Sequence, residues 1–183
     1  SNIFSPNRIG RSDMVEKGKS ITLGLEFEKQ NLSNEKILGL NIGNIFKDKK
    51  NETLPNKSKL NQTRSDIVGD IFYKFDDKFE LNYNFSYDRD LDFSNYDAVS
   101  AKFGINKVVT TFDYISENHE LGNSELISNN TEIKFTDEHS IKFDTTKDLK
   151  DDFTQFYKLA YQYETDCLSA SFEYEKKFFS DGS

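Results

Sequence analysis

The 183-residue sequence predicts an all-β fold, an antiparallel up-and-down meander of about ten strands. The clearest evidence is the segment 79–88, FELNYNFSYD, in which apolar and polar side chains alternate without exception. Successive side chains of a β-strand point to opposite faces, so this strand has one apolar and one polar face. Aromatic residues, 17 Phe and 9 Tyr, recur at alternate positions in further segments, and no stretch has the period of a helix of usual length.

Residues 1–18 have no clear period and are predicted to form a loop. The segments that follow alternate with a period of two. The difference in polarity between their two faces varies, and it is weakest in segment 65–75. The predicted strands are 19–29, 37–46, 65–75, 79–88, 97–105, 108–116, 130–135, 141–146, 153–163 and 167–178. Many of these segments approach the ~9–11 residues with which a tilted strand crosses a bilayer.

The connections between the predicted strands alternate in length. Short polar turns follow the odd-numbered strands, as in Asn106-Lys107, which has the look of a two-residue hairpin turn. Longer, more charged loops follow the even-numbered strands: 47–64 with Pro55, 89–96, 117–128 and 147–152. Short turns on one side and long loops on the other are typical of outer-membrane barrels, so this pattern favours a transmembrane barrel.

The central question is whether the apolar face meets lipid or a protein core. A soluble β-sandwich or barrel has the same alternation and remains an alternative. The long meander, and Tyr and Phe near the strand ends, favour lipid. The residues predicted to face lipid are Leu81, Tyr83, Phe85, Leu159, Tyr161, Phe172 and Tyr174. Those predicted to face a polar lumen are Glu80, Asn82, Asn84, Glu173 and Glu175.

Composition and motifs argue against several other functions. The net charge of −8 disfavours nucleic acid as a partner, because phosphates attract Lys and Arg. His119 and His139 lie in separate predicted loops without ligand spacing, so no metal site is predicted. The acidic segment 88–92 lacks the Gly and the distal Glu of an EF-hand loop. No common nucleotide-binding, hydrolase or zinc-protease motif occurs, and we expect neither an enzyme nor a bound cofactor.

The single cysteine and the two ends of the chain indicate a fragment. Cys167 has no second cysteine to pair with in this sequence, so it is either a free thiol or half of a bridge to a segment outside it. The sequence begins at Ser1 and ends in a short polar stretch without a structural stop. About ten strands can close as a small barrel or form part of a larger one. In the larger barrel, the two edge strands pair with strands outside this sequence.

Three blocks in order carry a resemblance to a known family. They are NIFSPNRIGRSDMVEKGKSITLGLEF, RSDIVGDIFYKFDDKFELNYNFSYDRDLDF and YQYETDCLSASFEYEKKFFSD. They resemble an N-x-F-x-x-N-R segment leading into a strand, an R-S-D-x-V-G hairpin ending in D-x-D-L, and a Y-x-x-D-C hairpin. All three belong to the C-terminal barrel of the LPS-assembly outer-membrane protein family, LptD, also called organic solvent tolerance protein.

The resemblance implies a fold and a function. It implies a bacterial outer-membrane barrel of about 26 strands that moves lipopolysaccharide (LPS) to the outer leaflet through a lateral gate, without breaking a bond. The implied partners are LPS, a plug lipoprotein of the LptE type, outer-membrane lipid, and periplasmic LPS-bridge proteins bound through an N-terminal jellyroll. Residues 1–183 are then a partial barrel domain, with the jellyroll, the early strands and the last strand absent.

The resemblance also gives Cys167 an expected role, a disulfide to the absent N-terminal domain. Some family members have an adjacent cysteine pair at this position, whereas here Asp166 precedes Cys167, so only one bridge is expected. Against this function stand a porin-like or adhesive outer-membrane barrel and a soluble β-domain that binds carbohydrate. Depletion distinguishes an LPS transporter from a porin-like or adhesive barrel, because only the transporter is needed for LPS to reach the surface. A requirement for detergent distinguishes it from a soluble β-domain.

Overall fold

The computed structural model describes residues 18–52, 59–119 and 122–179, without the side chains of residues 119 and 122. Three sequence features lie outside these ranges: nearly all of the predicted N-terminal loop with its N-x-F-x-x-N-R block, the loop tip that holds Pro55, and residues 180–183. The described part of the chain consists of strands and their connections. Within it, no helix has the length and apolar character needed to cross a membrane.

The predicted fold class is confirmed, because the described residues form one ten-stranded antiparallel sheet in which every strand pairs with its neighbours along the chain. The sheet is not closed in this part of the chain, since β1 and β10 each have a partner on one side only. The strands are β1 Ser20–Gln30, β2 Lys36–Lys47, β3 Ile67–Asp76, β4 Phe79–Tyr87, β5 Ser94–Ile105, β6 Val108–His119, β7 Gly122–Lys134, β8 His139–Asp148, β9 Phe153–Glu164 and β10 Ser169–Lys177.

The tight turns follow from local chemistry. At the turn between β3 and β4, Asp76 Oδ1 accepts hydrogen bonds from the backbone N–H groups of Lys78 (2.8 Å) and Phe79 (3.0 Å). An aspartate side chain that bonds to the backbone two residues further along is a common way to reverse a chain. The predicted turn at Asn106-Lys107 is confirmed between β5 and β6. Asn106 there has a φ of 54°, which asparagine tolerates better than most residues.

The predicted loop at 117–128 is wrong. β6 continues to His119, β7 begins at Gly122, and the register pairs Ser116 with Glu125 and Glu117 with Ser124. Polar side chains on both faces hid the strand pattern, yet the backbone there completes an ordinary antiparallel ladder. The connections after β4 and β8, at 88–93 and 149–152, are also short, so only the β2–β3 connection at 48–66 is long. The predicted segregation of loop lengths therefore holds at one connection and fails as a general rule.

We use two names for the ends of the sheet. The turn end carries the connections that follow β1, β3, β5, β7 and β9, and the loop end carries those that follow β2, β4, β6 and β8. The sheet is a single layer: among the described residues, only Ile45 and Ala160 are buried apolar residues. Apart from Gly39 and Gly43, the other buried residues are polar, and four of them lie in the loop-end connections: Asn51, Ser65, Asp66 and Asp88.

Candidate functional site: the two faces of the sheet

The register joins the apolar positions of the separate strands into one continuous face. Leu81 of β4 pairs with Tyr73 on one side and Ala101 on the other, and Tyr83 pairs with Ile71 and Val99. The same parity continues through β6, β7 and β8 to β9 and β10, where Tyr161 pairs with Phe172 and Leu159 with Tyr174. We call this surface the apolar face. All seven residues that were predicted to face lipid therefore lie on one side of the sheet.

The apolar face is uncovered. Leu159 is 48% exposed and Phe172 is 73% exposed, and large apolar side chains on every strand except β4 are similarly accessible. Soluble monomers rarely leave a contiguous apolar surface of more than a few hundred Å² in water. A sandwich or closed soluble barrel buries such a face against a second layer or its own interior, which the described residues do not do. An apolar environment outside this sheet is therefore needed.

Aromatic rings run along the apolar face near the turn end. The ring centroids of Tyr73 and Phe79 are 6.3 Å apart, those of Phe79 and Phe103 are 5.2 Å apart, and those of Phe103 and Phe112 are 6.5 Å apart. On β8 and β9, His139 Nδ1 lies 2.6 Å from the Tyr161 hydroxyl. A row of rings at one level of a sheet is typical of the aromatic girdles of outer-membrane barrels.

One glycine of the R-S-D-x-V-G block has a packing role on this face. Gly69 pairs with Phe85, and a Cβ at Gly69 would lie 2.5 Å from Phe85 Cζ and 2.5 Å from the carbonyl oxygen of Asn41. The Phe85 ring therefore lies over the space that a side chain would need. A large aromatic ring that covers a cross-strand glycine shields the exposed backbone of a sheet.

The opposite face is polar and charged, and we call it the polar face. Asn82 pairs with Phe72 and Ser100, and Glu80 lies opposite Lys74 and Lys102. Further along the sheet, Lys158 Nζ lies 3.2 Å from Glu173 Oε1. The five residues predicted to face a lumen, Glu80, Asn82, Asn84, Glu173 and Glu175, all lie on this face.

The structure also reveals polar residues on the apolar face that the sequence reasoning missed. The Tyr83 hydroxyl donates to Asp97 Oδ1 at 2.5 Å, and the Tyr114 hydroxyl donates to Glu125 Oε1 at 2.8 Å. Further from the loop end, Asn129 is hydrogen-bonded to a threonine on β6. The sequence could have placed Asp97 on the apolar face, because it is in phase with the apolar residues of its strand. Glu125 was hidden by the mistaken loop, and Asn129 lies between that loop and the predicted strand 130–135.

The predicted cysteine lies at the turn end. Cys167 is exposed in the connection between β9 and β10, where Thr165 N donates to the carbonyl oxygen of Leu168 at 2.8 Å. It is the single cysteine of the sequence, so a disulfide needs a cysteine from elsewhere. Among the described residues, no group of three or more His, Cys, Asp or Glu side chains is arranged to bind a metal ion.

Lysines near the ends of two strands form local pairs with carboxylates in the connections that follow. Lys74 Nζ lies 2.8 Å from Asp77 Oδ1, and this hydrogen bond and its charge lower the pKa of Asp77. Lys147 Nζ likewise lies 2.5 Å from Asp152 Oδ1 and lowers the pKa of Asp152. Both carboxylates are exposed, so these pairs fix turns and do not form a reactive centre.

Comparison with known proteins gives a family. The family model described as LptD, LPS transport system D, matches residues 1–147, which is most of the chain. The match covers β1 to β7 and nearly all of β8, including the R-S-D-x-V-G block. No curated protein matches the chain.

Proposed function

The chain belongs to the LptD family of LPS-transport proteins, and from that premise we propose that it forms part of the wall of an outer-membrane barrel. The observation that carries this proposal is the uncovered apolar face on a single-layer antiparallel meander. Such a sheet is stable in a bilayer when its backbone groups are paired and its apolar side chains meet hydrocarbon. The family assignment gives the chain a general role in LPS transport or assembly.

In this proposal, the apolar face contacts outer-membrane lipid and the polar face lines the lumen. Leu81, Tyr83 and Phe85 on β4 then face acyl chains, as do Leu159, Tyr161, Phe172 and Tyr174 on β9 and β10. Glu80, Asn82, Asn84, Glu173 and Glu175 face the lumen. A lumen rich in carboxylates, amides and lysines suits the hydroxyl-rich sugar of LPS, which hydrogen-bonds to such groups.

The two open edges of the sheet support a larger barrel. Within the described ranges, β1 and β10 each pair with a strand on one side only, and a row of backbone N–H and C=O groups without a partner strand is costly in hydrocarbon. We propose that further strands of the parent protein pair with both edges, and that residues 1–183 are a partial barrel domain. The lateral gate, the plug lipoprotein in the lumen and the periplasmic bridge through an N-terminal jellyroll belong to the same proposal.

Cys167 fits this arrangement as one half of a disulfide to the N-terminal domain. Its position in a turn and its exposure leave the sulfur accessible to a partner cysteine. The oxidising periplasm permits such a bond. Non-reducing electrophoresis of the full-length protein tests it: Cys167→Ser should shift the mobility, whereas Ser169→Ala, a nearby control, should not. An unchanged mobility of Cys167→Ser would remove the disulfide from the proposal.

Depletion of the parent protein tests the transport function. We expect newly made LPS to accumulate in the inner membrane while other outer-membrane barrel proteins still reach the outer membrane at early times. Complementation with the wild-type gene should restore surface LPS. Normal surface LPS after depletion would contradict the proposal and favour a porin-like or adhesive barrel. A soluble carbohydrate-binding domain is disfavoured by the uncovered apolar face.

A further inference from the structure

A cluster of buried charged and polar groups lies at the loop end, on the polar face of β3, β4 and β5. Asp66, which comes directly before β3, is fully buried. Its Oδ2 accepts hydrogen bonds from Asn95 Nδ2 at 2.7 Å and from Ser86 Oγ at 3.2 Å. Asp66 lies on the polar face because Ser86, which it contacts, pairs with Val68 on that face. A buried carboxylate of this kind needs a compensating charge.

The compensating charge comes from the β2–β3 connection. Lys59 Nζ lies 4.0 Å from Asp66 Oδ1 and 3.6 Å from Oδ2 of Asp88, a second buried carboxylate. The same ammonium lies 5.3 Å from the centroid of the Phe93 ring. One lysine therefore contacts a buried carboxylate directly before β3, and a second buried carboxylate and a ring in the β4–β5 turn.

Asp88 extends this contact to the β4–β5 turn. Its Oδ1 accepts the backbone N–H groups of Asp90 (3.0 Å) and Asp92 (3.1 Å), which fixes the turn, while its Oδ2 faces Lys59. Burial raises the pKa of Asp88, but these backbone donors and the Lys59 ammonium outweigh it, so the pKa lies below its ordinary value. The carboxylate is thus held in its charged form, which suits a permanent ion pair with Lys59.

The segment that carries Lys59 is also fastened to β2. Lys47 N donates to the carbonyl oxygen of Thr63 at 2.7 Å, Lys47 Nζ donates to that of Leu60 at 2.6 Å, and Asn51 N donates to that of Asn61 at 2.9 Å. Lys59 itself has a φ of 50°, a left-handed conformation that costs energy for a residue with a side chain. The surrounding contacts must offset that cost.

We propose that Lys59 is a positioning residue that fastens the returning limb of the β2–β3 connection, residues 59–66, to the β4–β5 turn across the polar face. The limb is held between the β2 backbone on one side and the Asp66–Asp88 pair on the other. The loop ends of β2 to β5 then form one rigid unit, with this limb lying over the polar side of the sheet. This position of the limb does not depend on LPS transport.

Limited proteolysis of the purified, detergent-solubilised full-length protein tests this inference. The Leu60–Asn61 bond lies within the limb, and the Leu60 carbonyl oxygen accepts from Lys47 Nζ at 2.6 Å, so cleavage there by chymotrypsin requires the limb to open. We expect Lys59→Met to speed this cleavage roughly tenfold, because the population of the open limb rises when a buried ion pair is broken. Lys49→Met, an exposed lysine of the same connection, is the matched control and should be cleaved at the wild-type rate.

Two further variants separate positioning by charge from general destabilisation. Lys59→Arg keeps the charge and should be cleaved at nearly the wild-type rate. The triple variant Lys59→Met, Asp66→Asn and Asp88→Asn removes the charges together and should be cleaved more slowly than Lys59→Met alone. Heat-modifiable mobility on gels reports whether each barrel is folded. If Lys59→Met does not fold, Asp88→Asn serves in its place. Wild-type cleavage rates for the folded variant, or equal rates for Lys59→Met and Lys59→Arg, would overturn the proposal.

Discussion

A charge placed on the apolar face gives the sharpest test of what that face contacts. Leu159 lies at the middle of β9, pairs with Phe143 and Tyr174, and is 48% exposed. In water, Leu159→Arg at such an exposed site would change the free energy of unfolding by about 0.5 kcal/mol or less. On the lipid side of a barrel, an arginine near the bilayer midplane costs about 2–4 kcal/mol. Since 1.4 kcal/mol is tenfold, the lower value is already roughly a 30-fold change in the unfolding equilibrium.

The measurement is urea unfolding of the full-length protein folded into lipid vesicles, and the control is Gln162→Arg. Gln162 lies on the polar face of the same strand, where it pairs with Ser140 and Ser171. On a polar, hydrated face, an arginine should change the free energy of unfolding by about 0.5 kcal/mol or less. Equal small costs for both variants would place the apolar face in water and refute the lipid assignment. A larger cost for Gln162→Arg would mean that the two faces are reversed.

Three further predictions concern packing, hydrogen bonding and pH. Gly69→Ala should lower the free energy of unfolding by about 1–3 kcal/mol, because the added Cβ overlaps Phe85 and the Asn41 carbonyl. The control is Gly104→Ala, whose Cβ would meet its nearest atoms at 3.5 Å or more. It should change the free energy of unfolding by less than about 1 kcal/mol. Tyr114→Phe should cost about 1–3 kcal/mol because Glu125 loses a donor, whereas Tyr174→Phe on the exposed β10 should be nearly neutral. The lowered pKa of Asp152 means that its pair with Lys147 stabilises the fold above the ordinary aspartate pKa and is lost as pH falls through the lowered value. The difference in urea midpoint between wild type and Asp152→Asn should therefore shrink as the pH falls from about 6 to about 2. A constant difference would contradict the assignment.

The alternation of side chains predicted the architecture because a one-residue slip would have moved every apolar residue to the polar face. The strand at 79–88 and its two neighbours therefore lie where the pattern indicated, with only small shifts at their ends. The pattern failed at 117–128, where β6 and β7 carry polar side chains on both faces and resemble a loop. Hydrogen bonds between paired backbones hold those segments as strands, and a single sequence does not reveal that pairing.

The sequence alone could not reveal the charged cluster at the loop end, for a different reason. Lys59, Asp66 and Asp88 are far apart along the chain, and each resembles an ordinary solvated charge of an acidic protein. Their meeting depends on the register of β3 with β4 and on the return of the β2–β3 connection. The R-S-D-x-V-G block held part of this information, because Asp66 and Gly69 both belong to it. Asp66 is a buried carboxylate and Gly69 leaves space for Phe85. These roles are seen only in the structure, where Ser86 contacts Asp66 and the Phe85 ring lies over Gly69.

Three polar residues on the apolar face, toward the turn end of β6 and β7, form a closed hydrogen-bonded ring. Asn129 Nδ2 donates to Thr110 Oγ1 at 2.9 Å, the Thr110 and Thr131 hydroxyls are 2.7 Å apart, and the Thr131 hydroxyl donates to Asn129 Oδ1 at 3.0 Å. Because Thr131 uses its hydrogen on Asn129, Thr110 must donate to Thr131. Each of the three side chains thus both donates and accepts, so the ring leaves none of these donors needing water. That is the form in which polar groups are tolerated in an apolar environment.

This ring yields a prediction whose sign depends on the environment. Thr131→Val opens the ring: Asn129 Oδ1 loses its donor, and the Thr110 hydroxyl hydrogen loses its acceptor while its oxygen still accepts from Asn129 Nδ2. In hydrocarbon, these unpaired groups cost about 1–3 kcal/mol of unfolding free energy. Replacing all three residues, by Thr110→Val, Asn129→Leu and Thr131→Val, removes the unpaired groups and should restore stability to near the wild-type value in vesicles. In water, the opened ring would simply be hydrated, so the single variant would lose little and the triple variant would gain nothing over it. Urea unfolding in vesicles compares the two variants directly, and a triple variant no more stable than Thr131→Val would place this face in contact with water.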